Sequence, residues 1–304
     1  MFKHILKLAS AKRILPILNT LYATGGRMLA SDIDLELSCD WPLPDGLYSP
    51  KAIETARAIN AQPAKLDSFP LADFPLMPEQ SVIHAIHFPA DDAAKIAHAM
   101  ADNDIRYYLN GMHFNLTDGR LESTDDHRCA TVNILPSMDG TPEGYIVSRQ
   151  AILLAIKLKM HTVEFSESQA VFTRDDGAMI RSKLIAGKFP DLEKVIPTGR
   201  VTTDLPGLAS AIKSAAPVVK INKGESKNPT KLVFEGGTLA VYAPNKVASW
   251  PIGGNTPRIV FQAQYLLDVF ANVNGPHVLQ FGSATDSLRI NCDIVTAVVM
   301  PIRF

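Results

Sequence analysis

Glu122, Asp125, Asp126 and His127 stand within six positions of one another, and a thiol follows at Cys129. Carboxylates beside an imidazole are the donors of a metal site or the acid–base pair of a hydrolase. On an extended strand Asp125 and His127, two apart, share one face, whereas Glu122 falls on the other. No second cluster of His and carboxylate residues follows, and Asp-rich segments also form turns. A catalytic or metal centre is therefore the weaker reading, and the wall of a docking site competes with it. "AGKFPD" is not a phosphate loop either, because Ser182 occupies the place of its first glycine.

The chain has 304 residues, of which 46% are hydrophobic and 20% charged, with a net charge of −1. Such a composition supports globular cores and advertises no polyanion partner for the chain as a whole, so charge has to be read locally. Cys39, Cys129 and Cys292 form no CxxC pair, which indicates neither a zinc site nor a disulfide framework and fits a reducing cytoplasmic compartment. The opening "MFKHILKLASAKR" is too short and too rich in lysine for a signal core, and no run approaches a membrane span.

The elements that must position these residues recur. A strand, a glycine turn and a second strand are read in residues 17–37, 107–128 and 231–245. A closing phrase recurs as "FPLADFPLM" and "LIAGKFPDLEKVIP", with "VVMPIRF" in the corresponding place at the end. Helical segments precede each hairpin (2–13, 90–102, 205–216) and follow it (49–60, 148–159, 262–275), with Ser49 and Ser148 as N-caps of two of them. Three domains result: 1–78, 79–197 and 198–304. From Gly26 to Pro75 the first is about 22 residues shorter than the second is from Gly119 to Pro190, enough to remove a two-stranded hairpin. The helices and their flanks carry Lys3, Lys7, Lys51, Arg57, Lys95, Arg149, Lys157, Lys159, Lys213, Lys220, Lys223 and Lys227. Cations repeated in this way suit sequence-blind phosphate contact, although any one of them also serves as an ordinary solvated residue. Arg106, Tyr107 and Tyr108 add aromatic faces at what reads as a strand start.

"RYYLNGMHFNLTDGRLESTDDHRCA", "SKLIAGKFPDLEKVIP" and "VVMPIRF" resemble the bacterial sliding clamp, the beta subunit of DNA polymerase III. "RILPILNTL", "DIDLEL", "FPLADFP" and "QYLLDVF" extend the resemblance in order from about residue 5 to the end. It implies an α+β fold of three tandem clamp-type domains, helices inside and antiparallel sheets outside, closing head to tail as a homodimeric ring on double-stranded DNA. Such a clamp is a replication processivity factor with no catalytic residues, metal or cofactor. It is opened by a clamp loader and tethers a replicative polymerase through short peptides.

The resemblance places the peptide pocket at Leu109, Thr124, Asp126, His127, Arg128, Cys129, Pro190, Lys194, Val195, Val298, Met300, Pro301, Ile302 and Arg303. It places DNA contacts at Lys12, Arg13, Asn103, Arg106, Tyr107 and Tyr108. Asp126, Cys129 and Lys194 stand where the family usually has glycine, leucine and arginine. The dimer contact falls on the shortened "KLDSFP", with Leu66 and Phe69, against "AAPVVKINK", with Val218 and Val219, read as an edge strand. A clamp-like decoy that binds polymerase or loader peptides without closing on DNA is the second reading.

Overall fold

The computed structural model describes residues 1–11, 13–134, 144–197, 202–203, 205–221, 230–243, 246–273, 278–280 and 285–302. Lys12, Lys223, Lys227 and Arg303 lie outside the described residues.

The first elements are α1 (Phe2–Ser10), β1 (Leu21–Thr24), β2 (Arg27–Ser31), β3 (Leu35–Asp40), β4 (Gly46–Tyr48) and α2 (Pro50–Ala58). Next come β5 (His84–His87), α3 (Ala90–Ile96), β6 (Gly111–Asn115), β7 (Arg120–Thr124), β8 (Arg128–Asn133) and β9 (Tyr145–Ser148). They are followed by α4 (Arg149–Lys157), β10 (Thr162–Phe165), β11 (Gln169–Thr173) and β12 (Met179–Lys183). The last series is β13 (Thr202–Thr203), α5 (Leu208–Ile221), β14 (Lys231–Glu235), β15 (Thr238–Ala243), β16 (Lys246–Pro251) and β17 (Ile259–Gln262). It ends with α6 (Ala263–Asn272), β18 (Val278–Gln280), β19 (Leu288–Cys292) and β20 (Val295–Val299).

One order, a strand, a helix, four strands, a helix and three strands, therefore runs twice, from β5 and from β13. The first series keeps only a helix, four strands and a helix. The sequence led us to expect a missing hairpin of two strands after α2. In the structure all three strands are wanting, and the sole remnant among the described residues is a bridge between Leu66 and Leu47. Pro63, Pro70, Pro75 and Pro78 punctuate this stretch and cannot donate to a ladder.

The strands form three antiparallel sheets, β4-β1-β2-β3-β12-β11-β10-β5, β13-β18-β19-β20-β8-β7-β6-β9 and β16-β15-β14-β17. Each large sheet joins strands of one series to strands of the next: β3 to β12, with Leu37 opposite Ile180, and β8 to β20, with Cys129 opposite Val298. The chain divides into two compact units, Met1–Asp91 with Gln150–Ile185, and Asp92–Arg149 with Ala186–Phe304.

In the first unit α1 packs on β2 and β3 and touches α2. It buries Ile5, Leu6, Leu8 and Ala9 and leaves Lys3 and Lys7 exposed. Ser49 caps α2 through its hydroxyl, which accepts from the Ala52 N–H at 3.0 Å. In the second unit α5 packs on β15 and β16 and against α6. The two-glycine turns Gly25–Gly26 and Gly236–Gly237 have φ from +54° to +78°, the conformation that closes a tight hairpin.

Three local expectations are corrected. Residues 215–221, read as an edge strand, continue α5, because Ala215 and Val219 fall on its buried face, and the helix runs through Pro217. Tyr107–Leu109 is a 3-10 turn before β6 rather than the start of a strand, so strand alternation does not apply: Tyr107 is exposed and Tyr108 half-buried. Asp125 and His127 lie in the turn between β7 and β8, not on a strand.

Candidate functional site

Between β7 and β8 the chain reverses in three residues. The Asp125 carboxylate accepts from the backbone N–H groups of His127 and Arg128, both at 3.0 Å, and Asp126 takes φ +77°. Asp tolerates this region better than most residues, which lets the turn stand without glycine. The Asp126 N–H donates to Thr124 Oγ1 at 3.1 Å. Asp125 is thus a turn-maker.

Glu122 faces away from this turn and is paired across the strands with His113, its Oε2 2.7 Å from Nδ1, both side chains buried. Among the described residues no three His, Cys, Asp or Glu side chains stand close enough to share a metal ion.

Beside the turn lies a recess of about 90 Å³ lined by Leu109, Thr124, Asp126, Arg128, Cys129, Pro190, Asp191, Leu192, Val195, Val298 and Met300. Its floor is apolar and its rim charged. Ligand cavities commonly span roughly 300–1,000 Å³, so as it stands the recess accepts an anchoring side chain rather than a whole ligand. The cross-strand pairs Thr124–Cys129 and Cys129–Val298 bring β7, β8 and β20 together here. Burial pushes the Cys129 thiol up to about 12, so it packs as a neutral apolar group.

Four of the expected pocket residues, His127, Lys194, Pro301 and Ile302, stand just outside this lining. The carbonyl of His127 accepts from the Met300 N–H at 2.9 Å, and its ring stacks on Tyr265 at 6.1 Å. Lys194 pairs with Asp191 at 3.2 Å and is 81% exposed. The Ile302 N–H donates to the Val260 carbonyl at 2.7 Å, and half-buried Pro301 precedes it.

Several side chains that hold the recess escaped the sequence reading. Arg128 donates to Asp268 on α6 at 2.6 Å and stacks over Tyr265 at 4.6 Å. Tyr265 and Asp268 are three apart on one helix face, which was the available signal. His113 stacks on Phe189 at 4.8 Å, and Arg120 bridges to Glu193, so β6 and β7 grip the segment that forms the wall at Pro190–Val195. Beside β7 and β8, His98 Nδ1 meets the Lys95 carbonyl at 3.0 Å, and burial followed by the nearby Arg128 lowers its pKa to about 4.

Arg106 sits between two carboxylates, 3.0 Å from Asp104 Oδ2 and 2.7 Å from Asp126 Oδ2. Hydrogen bonding to Arg106 lowers the Asp104 carboxyl to about 2, and the two carboxylates raise the guanidinium further above its ordinary range. Asn103 has φ +59°. Arg13 pairs with Asp32 at 3.2 Å. Ile14 and Ile105 precede the two corresponding 3-10 turns and are 99% and 96% exposed. The lone isoleucine between charged residues in "DIRYY" was the sequence signal for the second.

Leu66 is bridged to Leu47, its N–H donating at 2.7 Å, and Phe69 is half-buried. Val218 is half-buried and Val219 buried within α5.

The fold is similar to that of solved sliding clamps. The Caulobacter crescentus beta sliding clamp matches with a TM-score of 0.80 and 25% identity over 100% of this chain and 96% of that one. A Pseudomonas aeruginosa sliding clamp bound to griselimycin matches with a TM-score of 0.78 and 23% identity over 100% and 96%. The family model described as DNA polymerase III beta subunit, central domain, matches residues 90–191. Among curated relatives, the beta sliding clamp of P. aeruginosa is 32% identical over 237 residues, 67% of this chain and 60% of the relative. That of Caulobacter vibrioides is 29% identical over 237 residues, 69% and 62%. The alignments thus span about three-fifths of each of these two relatives. The chain belongs to the bacterial DNA polymerase III beta subunit, or beta sliding clamp, family, and is shorter than the full clamp.

Proposed function

We propose that the chain is a DNA sliding clamp, a cytoplasmic, non-catalytic processivity factor. It encircles duplex DNA without reading sequence and tethers a replicative polymerase, with a clamp loader using the same recess. The observation that carries this reading is the recess itself. Leu109, Thr124, Cys129, Pro190, Val195, Val298 and Met300 are far apart in sequence, yet β7, β8, β20 and the loop after β12 bring them to one largely apolar floor. Such a floor suits anchor residues of a short peptide. Lys12, Arg13, Asn103, Arg106, Tyr107 and Tyr108 are the proposed DNA contacts, and residues 1–78, 79–197 and 198–304 the proposed domains.

The sheet pattern supports a head-to-tail dimer. The third strand of the hairpin group pairs with the last strand of the following series at β3–β12 and at β8–β20. Their counterpart β16 pairs, among the described strands, with β15 alone. A second subunit, presenting Leu66 and Phe69 of its reduced first domain, is the proposed neighbour of β16; Val218 and Val219, which the resemblance set at this seam, lie on α5, where Val219 is buried.

Replacement of Met300 by alanine should weaken a labelled peptide from the host's replicative polymerase about tenfold, the loss of a central anchor contact. Unchanged affinity in an anisotropy titration would remove the recess from the reading. Retention on circular but not linear duplex after loading tests encirclement. The decoy remains the second reading, because the first series lacks the strands that follow α2. Peptide binding without retention on either DNA would select it.

A further inference from the structure

Asp126 belongs to two places at once. It is one of the residues lining the recess, and its carboxylate Oδ2 lies 2.7 Å from Arg106 Nη1. The other edge of the same guanidinium is held by Asp104, with Nε to Oδ1 at 3.1 Å and Nη2 to Oδ2 at 3.0 Å. Arginine binds phosphate through such paired N–H groups. Both edges are spoken for, and the three side chains together carry one net negative charge, which repels a DNA backbone.

The two carboxylates are not equally held. Asp104 also accepts from the Arg106 backbone N–H at 2.8 Å, so it is tied to the loop it serves. The Asp126 side chain is 58% exposed and reaches Arg106 from a separate turn, one fixed by Thr124 and Asp125. Asp126 is the partner a phosphate would displace. With glycine there, as the family resemblance implies for most members, Arg106 would keep one edge open.

We propose that Asp126 is a latch between the peptide recess and the DNA-facing loop, standing in for a phosphate on Arg106 until one of the two sites is filled. The inference rests on the clamp reading given above. A peptide that offers an N–H or a cation to Asp126 loosens the latch and releases Arg106 to the duplex. Reciprocally, a duplex that captures Arg106 frees Asp126 at the recess rim.

The test is the affinity of the intact protein for a labelled blunt-ended duplex at several salt concentrations. Asp126→Asn keeps the shape of the side chain and Asp126→Gly suits the positive φ, so the pair guards against a folding artefact. Each should tighten duplex binding about threefold and steepen the salt dependence by about one released ion. The gain should vanish when Arg106→Ala is added. Arg106→Ala alone should cost less than about twofold, because the wild-type arginine is already engaged. An equal gain in the Arg106→Ala background would show mere removal of a charge and overturn the latch. So would wild-type duplex binding that neither variant changes. Absence of duplex binding in wild type and in every variant would overturn the latch alone, because the clamp reading is decided by retention on circular duplex after loading.

Discussion

Asp32 accepts from the backbone N–H groups of Asp34 and Leu35 at 3.2 and 2.7 Å, and Asp125 does the same for His127 and Arg128. The next residue has positive φ in both turns, +82° at Ile33 and +77° at Asp126. Each turn also receives an arginine from the loop before the 3-10 turn, Arg13 to Asp32 and Arg106 to Asp126. The backbone device is common to the two regions, but its surroundings differ. Around the second turn Arg128 is anchored to Asp268 and Tyr265 on α6, and β20 lies alongside β8 to complete a recess. The repeat supplies a stiff turn, and the chemistry comes from the side chain at the positive-φ position and from the elements brought against it.

The largest test of that likeness is to remove both turn-makers. Asp32→Ala and Asp125→Ala each leave two backbone N–H donors without their acceptor and remove an ion pair made by a mostly buried carboxylate. Each should cost about 2–3 kcal/mol in denaturant unfolding. A loss below about 0.5 kcal/mol at either would show that the turn is held by something else.

Acid should weigh on the region of the second turn, where His98 lies beneath β7 and β8 and within the field of Arg128. The folded imidazole is lowered to about 4 against an ordinary 6.5, so between those values the unfolded chain binds more protons. Stability is therefore fully present above the ordinary value and falls as pH drops toward 4. The loss should be on the order of 2 kcal/mol, and His98→Gln should flatten that slope. An unchanged slope would assign the acid sensitivity elsewhere.

The smallest effect concerns strain. A β-branched residue at φ +82° is strained, and Ile33 is 39% exposed, so Ile33→Gly should stabilise by about 1 kcal/mol. Asp126→Gly should gain less, since Asp suits that conformation better and loses its Arg106 contact. The reverse order in thermal melting would break the proposed equivalence of the two positions.

The hairpins were legible because Gly25–Gly26, Gly119 and Gly236–Gly237 mark their turns between alternating runs. The recess residues were reached through a resemblance. Nothing local in "DDHR" says that Asp125 folds back on its own backbone while Glu122 turns to His113, because a turn and a strand place the same residues on different faces. Val218 and Val219 misled for a related reason. The resemblance set them on an edge strand, but the segment continues α5, whose buried face packs on β15 and β16. The spacing of Tyr265 and Asp268 put them on one helix face but could not name their partner, because Arg128 lies 140 positions from Asp268.

The joining of β3 to β12 has a consequence for synthesis on the ribosome. When β3 leaves the exit tunnel its outer edge has no neighbour, and the strand that will cover it ends at Lys183, about 140 residues later. At about 5–20 residues per second, that edge stays bare for roughly 7–30 s. During that interval the nascent chain presents a sticky ladder of open amides and carbonyls to its neighbours. A chaperone that shields the emerging amino-terminal half should therefore raise the soluble yield, and faster translation should do so too.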